Sequence, residues 1–326
     1  LRGAVAVREI AGWRLAAAGG PGFAPSYGGA RVAWGVRRRD LDAALLRRAV
    51  ACGARFAPGL RVVAVSRAPD GRVDGVWARG AQGPVRVGAR LVVGADGLRS
   101  VVAARLGLVR RPPRRRKVAW VAHVPGAADA LDGVGELWVA RGPGGRGACV
   151  VGLAPLGDGS LNVTCVHAPP EGERPASWEA VLACVPEAAR RLRGFAREPG
   201  LLVSGPFDRP VRRAWVAGAL LVGDAAGYYD PFTGAGISRA LRSAELAEPR
   251  ALEYLATGEP AALAAYGRAC RRALRRGRAL ERLVERVVSR PRAFACAAAL
   301  LGRAPAAAAA CLRAVGDCPP ARQAPR

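Results

Sequence analysis

Two short apolar runs, each followed by glycine and aspartate, constrain the fold of this chain more than any other feature. Residues 220–224 read Leu-Leu-Val-Gly-Asp, and residues 91–96 read Leu-Val-Val-Gly-Ala-Asp. An apolar run of this length between turn residues predicts a buried strand of a parallel sheet. Ligands of open α/β sheets bind just beyond the carboxyl ends of such strands, so Asp96 and Asp224 are candidate binding residues. Each aspartate alone is also compatible with capping a helix.

Composition allows a large core and argues against nucleic acid as the partner. The chain has 326 residues, 51% of them apolar, which suits two domains or one core with an inserted layer. The net charge of +26 raises nucleic acid as a partner, but the arginines are scattered and Lys117 is the only lysine. The basic run at residues 110–117 is predicted to be a solvated linker, with phosphate binding as its alternative.

Metal, secretory and membrane-spanning classes are not expected either. The eight cysteines form no C-x-x-C pair and His123 lies far from His167 in the sequence, so no metal site is predicted. The cysteines are interpreted as small buried side chains in a reducing compartment. No signal peptide and no apolar span of about 20 residues is present. We therefore expect a cytoplasmic location, with peripheral membrane contact and the oligomeric state left open.

The first third of the chain predicts helices and hairpins. A helix over residues 40–52 ends at Gly53, strands cover residues 61–67, 72–79 and 84–89, and Ser100 caps a short helix over residues 101–106.

The rest of the chain predicts a separate sheet followed by helices. Strand-like runs cover residues 117–124, 135–141, 148–153, 160–167 and 201–206, with a helix over residues 177–193. This pattern favours a mostly antiparallel sheet forming its own layer. The helices that follow are predicted over residues 237–248, ending before Pro249, and over residues 260–290, ending before Pro291.

Three motifs in this order give the sequence a family resemblance. They are Gly-Val-Arg-Arg-Arg-Asp-Leu-Asp at residues 35–42, Gly-Ala-Asp-Gly-Leu-Arg-Ser at residues 94–100, and Gly-Asp-Ala-Ala-Gly at residues 223–227. Over about residues 30–250 the chain resembles the FAD-dependent oxidoreductases of the aromatic-hydroxylase and geranylgeranyl-reductase superfamily. The resemblance implies an α/β fold: an incomplete Rossmann-like FAD-binding domain, an inserted, mostly antiparallel substrate-domain sheet, and a helical C-terminus.

The resemblance also implies which residues hold the cofactor. Arg38 or Arg39 would contact the flavin, Asp96 and Gly97 would lie near the FAD pyrophosphate, and Gly223 and Asp224 would bind its ribitol. A helix beginning near residues 234–236 would direct its N-terminus at the flavin. The full set of cofactor-binding residues implied is Arg38, Arg39, Asp96, Gly97, Gly223, Asp224, Pro231, Gly234, Ala235, Gly236 and Ile237.

Catalytic residues are less well defined by the sequence. Tyr228 and Tyr229 precede the stretch that would line the flavin edge, where a tyrosine could bind a phenolic or carbonyl substrate or donate a proton. Packing between sheet and flavin is the preferred interpretation of both tyrosines. His123 and His167 fall in predicted strands and are interpreted as structural, with a place facing a substrate cavity left open.

Two departures from the family pattern matter. No G-x-G-x-x-G fingerprint for the ADP half of FAD occurs, and residues 19–22 (Gly-Gly-Pro-Gly) neither follow a strand nor open a helix. We therefore expect the ADP-binding unit to precede Leu1 and this chain to bind FAD weakly or not at all. Ala235 stands where the reductase branch commonly carries an acidic residue, which makes a pure reductase less favoured.

The resulting prediction divides the chain into five parts. A strand-rich segment of the substrate domain covers residues 1–30, the FAD-binding domain covers residues 31–111 and 211–250, the substrate sheet covers residues 112–210, and C-terminal helices cover residues 251–326. The predicted function is an NAD(P)H-using, FAD-dependent monooxygenase of an aromatic, polyketide-like or lipid-like small molecule. The alternatives are flavin-dependent reduction of isoprenoid double bonds, a non-catalytic remnant, or an arginine-rich binding protein.

Overall fold

The computed structural model describes residues 3–29, 31–113 and 117–315, apart from the side chain of Arg276. Of the basic run at residues 110–117, Arg114, Arg115 and Arg116 lie outside the described residues. Lys117 is buried, so the prediction of a solvated linker is wrong for this residue.

The two apolar runs that end in glycine and aspartate form neighbouring parallel strands. Strand β8 (Val92–Gly94) pairs in parallel with β15 (Ala219–Leu221), and β14 (Trp215–Val216) completes this three-stranded sheet. All three residues of β15 are buried, as expected for a strand covered on both faces. Gly94 is needed here because a Cβ atom would lie 2.7 Å from the Leu221 side chain.

A second three-stranded sheet and two helices surround this pair. The antiparallel strands are β5 (Arg61–Arg67), β6 (Val73–Gly80) and β7 (Gly83–Gly88), and helix α1 (Arg38–Ala51) precedes them. Helix α2 (Val101–Arg105) begins after Ser100, whose Oγ accepts a hydrogen bond from the Ala103 N–H at 2.9 Å. The predicted N-cap is therefore confirmed.

The largest sheet of the described residues has seven strands. In chain order they are β2 (Trp13–Ala17), β3 (Gly22–Phe23), β9 (Val118–Val124), β10 (Gly135–Arg141), β11 (Ala148–Pro155), β12 (Leu161–Ala168) and β13 (Leu202–Ser204). Across the sheet their order is β13-β9-β12-β11-β10-β2-β3. All neighbours in this sheet are antiparallel except β2 and β10. The mostly antiparallel layer predicted from the sequence is therefore present.

The two faces of the seven-stranded sheet have different coverings. Trp178 and Val181 of helix α3 (Trp178–Ala183) pack on one face with Leu153, Val163 and other buried residues. Alternate residues of the same strands point to the opposite face, because side chains alternate along a strand. There they contact the C-terminal helices in part and border a cavity in part.

The helix predicted over residues 177–193 is two helices, so the prediction of one element is wrong. Helix α3 ends at Ala183, and helix α4 (Pro186–Arg191) begins at a proline. Val185 has φ −128° and ψ 83°, outside the helical region. Steric contact with the proline ring disfavours helical geometry in the preceding residue, which explains the break.

The C-terminal part consists of four helices in the described residues: α5 (Gly236–Thr257), α6 (Pro260–Val288), α7 (Pro291–Gly302) and α8 (Pro305–Val315). The prediction that the first of them ends before Pro249 is wrong, since α5 continues through this residue. Pro249 is exposed, whereas Ala247 and Tyr254 of α5 are buried in the core. Burial of the opposite face thus holds the helix together across the proline.

The first thirty residues contribute to two sheets. Strand β1 (Arg8–Ile10) pairs with β4 (Ala33–Gly35), and β2 and β3 join the seven-stranded sheet. Residues 19–21 of the Gly-Gly-Pro-Gly stretch lie in the turn after β2, and Gly22 begins β3. The prediction that this stretch follows no strand is therefore wrong, whereas the prediction that it opens no helix is confirmed. The five-part domain division remains a prediction.

Candidate functional site

The parallel pairing places Asp96 and Asp224 after neighbouring strand ends. Gly94 pairs with Leu221, and the N–H of Val222 donates a hydrogen bond to the Gly94 carbonyl at 3.0 Å. Both aspartates follow within three residues of these paired positions. The carboxyl edge of this sheet is where α/β folds bind ligands.

Asp96 acts as a helix cap in this structure. One carboxylate oxygen accepts from the Ser100 hydroxyl at 2.6 Å, and the other accepts from the N–H groups of Val101 and Val102 at 2.7 and 3.2 Å. The side chain is therefore already committed to the N-terminus of α2. Gly97, the next residue, has φ +74° and open space beside its Cα.

Asp224 differs from Asp96 because its carboxylate accepts no hydrogen bond from the residues the structure describes. It lies half-buried in a short 3₁₀ turn (Gly223–Ala226) that follows β15. Burial raises the pKa of this carboxyl, and the nearby charges of Arg38 and Arg239 oppose the shift. Partial burial removes some of the water around this carboxylate, and hydrogen bonds from a ligand would offset that loss. Asp224 is thus suited to accept hydrogen bonds from ligand hydroxyls.

The N-terminus of α5 lies beside Asp224 and is uncapped. Ala235 is its N-cap residue, and among the described residues no side chain hydrogen bonds to the free N–H groups of the first turn. Gly236 is so close to Asp224 that an added Cβ atom would stand 3.9 Å from the carboxylate oxygen. Free N–H groups at the positive end of a 22-residue helix favour negative charge on a ligand.

A cavity of about 550 Å³ lies between this helix start and the seven-stranded sheet. The lining residues from the predicted cofactor set are Arg38, Gly234, Ala235 and Ile237. A smaller cavity of about 190 Å³ adjoins it and includes Pro231. The residues common to both cavities are Trp13, Leu137, Ala154, Asn162, Phe232 and Gly234. The two cavities therefore lie side by side between the start of α5 and the middle of the sheet.

Buried ion pairs fix the loop that separates Asp224 from α5. Lys117 Nζ lies 2.5 Å from Asp230 Oδ2 and 3.8 Å from Glu285 Oε1. The other oxygen of Asp230 accepts from the Phe232 N–H at 3.0 Å. The loop is thereby joined to the seven-stranded sheet through Lys117 and to α6 through Glu285.

A second buried pair anchors the same loop and the first turns of α5 to α6. Glu281, which is 2% exposed, pairs with Arg239 and accepts a hydrogen bond from the Thr233 hydroxyl at 3.2 Å. The second carboxylate oxygen of Glu281 is buried without a hydrogen-bond partner in the described part of the chain, and burial raises the pKa of the carboxyl group. Long-range pairs of this kind leave no local sequence pattern, and the sequence prediction missed Glu281, Arg239 and Asp230.

The two tyrosines before this loop contact protein groups. The Tyr228 ring lies 5.7 Å from the Phe207 ring, and burial raises the pKa of its hydroxyl. The Arg282 guanidinium lies 5.8 Å from the centre of the Tyr229 ring. These contacts agree with packing as their main role, and a catalytic role for Tyr228 or Tyr229 remains a prediction.

The three consecutive arginines at the start of α1 have different environments: Arg37 is the N-cap residue, and Arg38 and Arg39 lie in the first turn. Arg38 borders the cavity and pairs with Asp42 at 3.1 Å, whereas Arg39 is exposed and pairs with Asp40 at 3.4 Å. Arg37, which the prediction did not select, is 6% exposed. Three adjacent arginines give no sequence signal for which side chain is buried.

Arg37 joins two loops to the region beside the cavity. Its guanidinium donates to Asp158 at 2.6 Å and to both oxygens of Glu198, at 2.9 and 2.5 Å. Glu198 in turn lies 4.0 Å from Nδ1 of His123, which borders the cavity. Burial and the charge of Arg37 lower the pKa of His123, so its imidazole is neutral near pH 7.

Other site classes find no support in the part of the chain that the structure describes. No group of three or more histidine, cysteine, aspartate or glutamate side chains there is arranged to hold a metal ion. No helix in those residues combines the length and apolarity needed to cross a membrane.

The family profile described as FAD binding domain matches residues 29–280. The chain therefore belongs to this family of FAD-binding proteins, which confirms the resemblance and the α/β fold class drawn from the three motifs.

Curated relatives are reductases and a monooxygenase. The chain is 32% identical over 240 residues to digeranylgeranylglycerophospholipid reductase 2 of Methanothermobacter thermautotrophicus, covering 68% of this chain and 56% of the relative. It is 32% identical to menaquinone reductase of Mycobacterium tuberculosis, covering 70% and 55%. It is 34% identical to aurachin C monooxygenase/isomerase of Stigmatella aurantiaca, covering 59% and 50%. The chain thus spans about half the length of these relatives.

Solved structures share the fold at low sequence identity. A geranylgeranyl bacteriochlorophyll reductase-like protein from Thermoplasma acidophilum superposes with a TM-score of 0.80 and 19% identity, covering 97% of this chain and 81% of that one. A flavin-dependent brominase superposes with a TM-score of 0.75 and 18% identity, covering 96% and 78%. At these identities the similarity shows the fold alone.

Proposed function

We propose that the protein acts as an FAD-dependent oxidoreductase on a small hydrophobic or aromatic molecule, with NAD(P)H as the electron donor. One observation carries the proposal. The Asp224 carboxylate and the start of α5 receive no side-chain hydrogen bond from the described residues, and both lie beside a largely apolar cavity whose opposite wall is the seven-stranded sheet. A group that takes and gives electrons at the helix start would therefore face a substrate in the cavity.

The residues beside the cavity fit a flavin cofactor. Asp224 would accept hydrogen bonds from ribitol hydroxyls, and the first N–H groups of α5 would stabilise negative charge on the ring system. Arg38 borders the same cavity and contributes positive charge near Asp224. Asp96 would act indirectly, because its carboxylate already orders the start of α2. Bound FAD would supply the hydride and electron chemistry that protein side chains lack.

Hydroxylation is the reaction that we propose first. The neutral imidazole of His123 borders the cavity and could accept a hydrogen bond from the hydroxyl of a phenolic substrate, which would make the substrate ring more electron-rich. The similarity to a monooxygenase of aurachin C supports this direction. Reduction of a double bond is the second candidate, and the similarity to reductases of isoprenoid lipids and menaquinone supports it.

The first experiment tests the cofactor. The purified chain is titrated with FAD and, separately, with FMN, while flavin fluorescence and visible absorbance are followed. We expect saturable binding that weakens in Asp224→Ala but is retained in Asp129→Ala, a control at a carboxylate whose side chain is 84% exposed and that does not border the cavity. Equal binding by wild type and Asp224→Ala would contradict the proposed place of the cofactor.

The second experiment separates the two reactions. Oxygen uptake that accompanies NADPH oxidation and depends on an added phenolic substrate would support hydroxylation. Substrate reduction under anaerobic conditions at an undiminished rate would reject hydroxylation and favour the reductase. Both assays use FAD-saturated protein, so that weak cofactor binding does not limit the result.

A further inference from the structure

The sheet face below the cavity is polar at one end and apolar elsewhere. His123 of β9 and Asn162 of β12 are direct cross-strand partners, and both border the larger cavity. Thr164 lies two residues further along β12, on the same face, and borders the smaller cavity. Side chains of directly opposed residues lie about 5 Å apart, so these three form one polar group.

Apolar side chains make up the remainder of this sheet face. Thr164 of β12 pairs with Gly152 of β11, which pairs with Leu137 of β10, which pairs with Leu15 of β2. Trp13 and Phe232 complete the lining around the shared space. A ligand here would meet hydrogen-bonding groups at the β9–β12 end and hydrocarbon at the β10–β2 end.

The polar group retains hydrogen-bonding capacity for a ligand. Asn162 Nδ2 donates to Thr164 Oγ1 at 3.1 Å, which leaves the Asn162 carbonyl as an acceptor and the Thr164 hydroxyl proton as a donor. His123 turns Nδ1 towards Glu198, so Nε2 lies on the other edge of the ring. Donors and acceptors are thus both available within one small area.

Gly152 has no side chain and so keeps the centre of this sheet face flat. An added Cβ atom there would have only one neighbour within 4 Å, the Cβ of Thr164 at 3.9 Å. The backbone would therefore accept a side chain, and the glycine leaves space beside the polar group. A flat ring fits such a space, because its face can lie on the glycine while its edge meets the polar side chains.

We propose that His123, Asn162 and Thr164 bind an oxygen substituent on the substrate ring, either a phenolic hydroxyl or a quinone-type carbonyl. The rest of the substrate lies against Trp13 and Leu137. This assignment rests on the proposed function only in taking the cavity as the substrate site. It names the substrate class as a flat oxygenated ring with an apolar remainder.

Ligand binding tests this assignment without turnover. Equilibrium dialysis measures the affinity of the FAD-saturated chain for 1-naphthol, 1,4-naphthoquinone and naphthalene. We expect the oxygenated rings to bind about tenfold more tightly than naphthalene, the change expected for one or two hydrogen bonds. The near-isosteric variants Asn162→Leu and Thr164→Val should reduce that preference towards unity, while naphthalene affinity stays within about twofold.

Two controls keep the outcome interpretable. Thr164→Ser retains the hydroxyl and should retain the preference for oxygenated rings. Gly152→Val should weaken binding of all three rings, because the valine side chain would occupy the space beside the sheet face. A preference for oxygenated rings that survives Asn162→Leu and Thr164→Val would overturn the assignment. So would equal binding of all three rings by wild type.

Failure of this assignment can be told apart from failure of the proposed function. Normal FAD binding with no ring preference would reject the polar group as the binding element and leave the proposed function standing. The dialysis is therefore repeated without FAD. A ring preference that persists in a chain that does not bind FAD would support the assignment and reject the proposed function.

Discussion

Lys117 and Asp230 form a buried ion pair, with the Lys117 Nζ atom 2.5 Å from Asp230 Oδ2. Lys117 directly precedes β9 of the seven-stranded sheet, and Asp230 lies in the loop between β15 and α5. The pair therefore joins the two walls of the cavity. It also holds the loop conformation, since Asp230 accepts a hydrogen bond from the Phe232 N–H.

Removing one member of this pair should destabilise the protein strongly. Lys117→Met would leave Asp230 buried without its main countercharge, and such losses cost about 3–5 kcal/mol. We expect a decrease of this size in the free energy of unfolding measured with urea. The double variant Lys117→Met/Asp230→Asn should recover part of it, because the nearer of the two carboxylates that face Lys117 no longer carries a charge. Recovery stays incomplete, since Glu285, 3.8 Å from Lys117 Nζ in the wild type, keeps its charge. Additive effects of the two substitutions would contradict a direct interaction.

Asp224 should matter for cofactor binding more than for folding. Its pKa is raised by burial, so the folded chain gains little from the charged form of this carboxyl. We expect Asp224→Asn to leave the urea midpoint unchanged or slightly higher. Loss of hydrogen bonds to a charged group should weaken FAD binding by at least about tenfold. A large loss of stability with unchanged FAD affinity would assign Asp224 to folding instead.

The pair between Arg239 and Glu281 predicts an asymmetry between its two partners. Arg239→Met would leave Glu281 buried with the Thr233 hydroxyl as its one hydrogen-bond donor among the described residues, at a cost of about 3 kcal/mol or more. Glu281→Gln removes the buried negative charge and keeps an acceptor for Thr233, so its cost should be smaller, about 1 kcal/mol. Urea unfolding of both variants at neutral pH measures the difference. Equal costs would contradict the importance of the uncompensated charge.

Local sequence patterns predicted the elements around the site well. The apolar runs ending at Gly94 and Gly223 mark two parallel neighbours, and Ser100 caps the predicted helix. These features depend on residues within a few positions of one another, so a single stretch of sequence contains the necessary information. The order of the motifs then placed Asp224 and the start of α5 at the same edge.

The supporting interactions could not be predicted in the same way. Arg37 contacts Asp158 and Glu198, and Lys117 contacts Asp230, across more than a hundred residues of sequence. Only the tertiary fold decides which arginine of three is buried. The same limit explains Lys117, which was assigned to a solvated linker because its neighbours in sequence are basic.

Pro249 shows that tertiary burial can override a local helix-ending signal, and it yields a stability prediction. Proline removes one main-chain hydrogen bond inside α5, although the buried face of the helix is continuous. Pro249→Ala should therefore raise the free energy of unfolding by about 1–2 kcal/mol, since restored helix geometry outweighs the greater entropy of the unfolded chain. Glu248→Ala, at the exposed neighbouring position, should change it by less than about 0.5 kcal/mol. A decrease for Pro249→Ala would show that α5 needs its bend.

His167 predicts a pH dependence of stability with a defined sign. Its Nδ1 atom accepts from the Ala176 N–H at 3.0 Å, its Nε2 atom is buried without a partner among the described residues, and burial lowers its pKa. In the unfolded chain the His167 imidazole binds a proton near pH 6.5, whereas in the folded chain it binds one only at lower pH. The free energy of unfolding therefore decreases as the pH falls below about 6.5. His167→Gln keeps an acceptor for Ala176 and removes the titration. Wild type should therefore lose more unfolding free energy than His167→Gln between about pH 7.5 and pH 5.5, measured with urea. Carboxyl groups such as Asp224 titrate in both proteins, so the difference between the two curves of unfolding free energy against pH reports the His167 imidazole alone. Parallel curves would mean that His167 is protonated equally easily in the folded and unfolded chains.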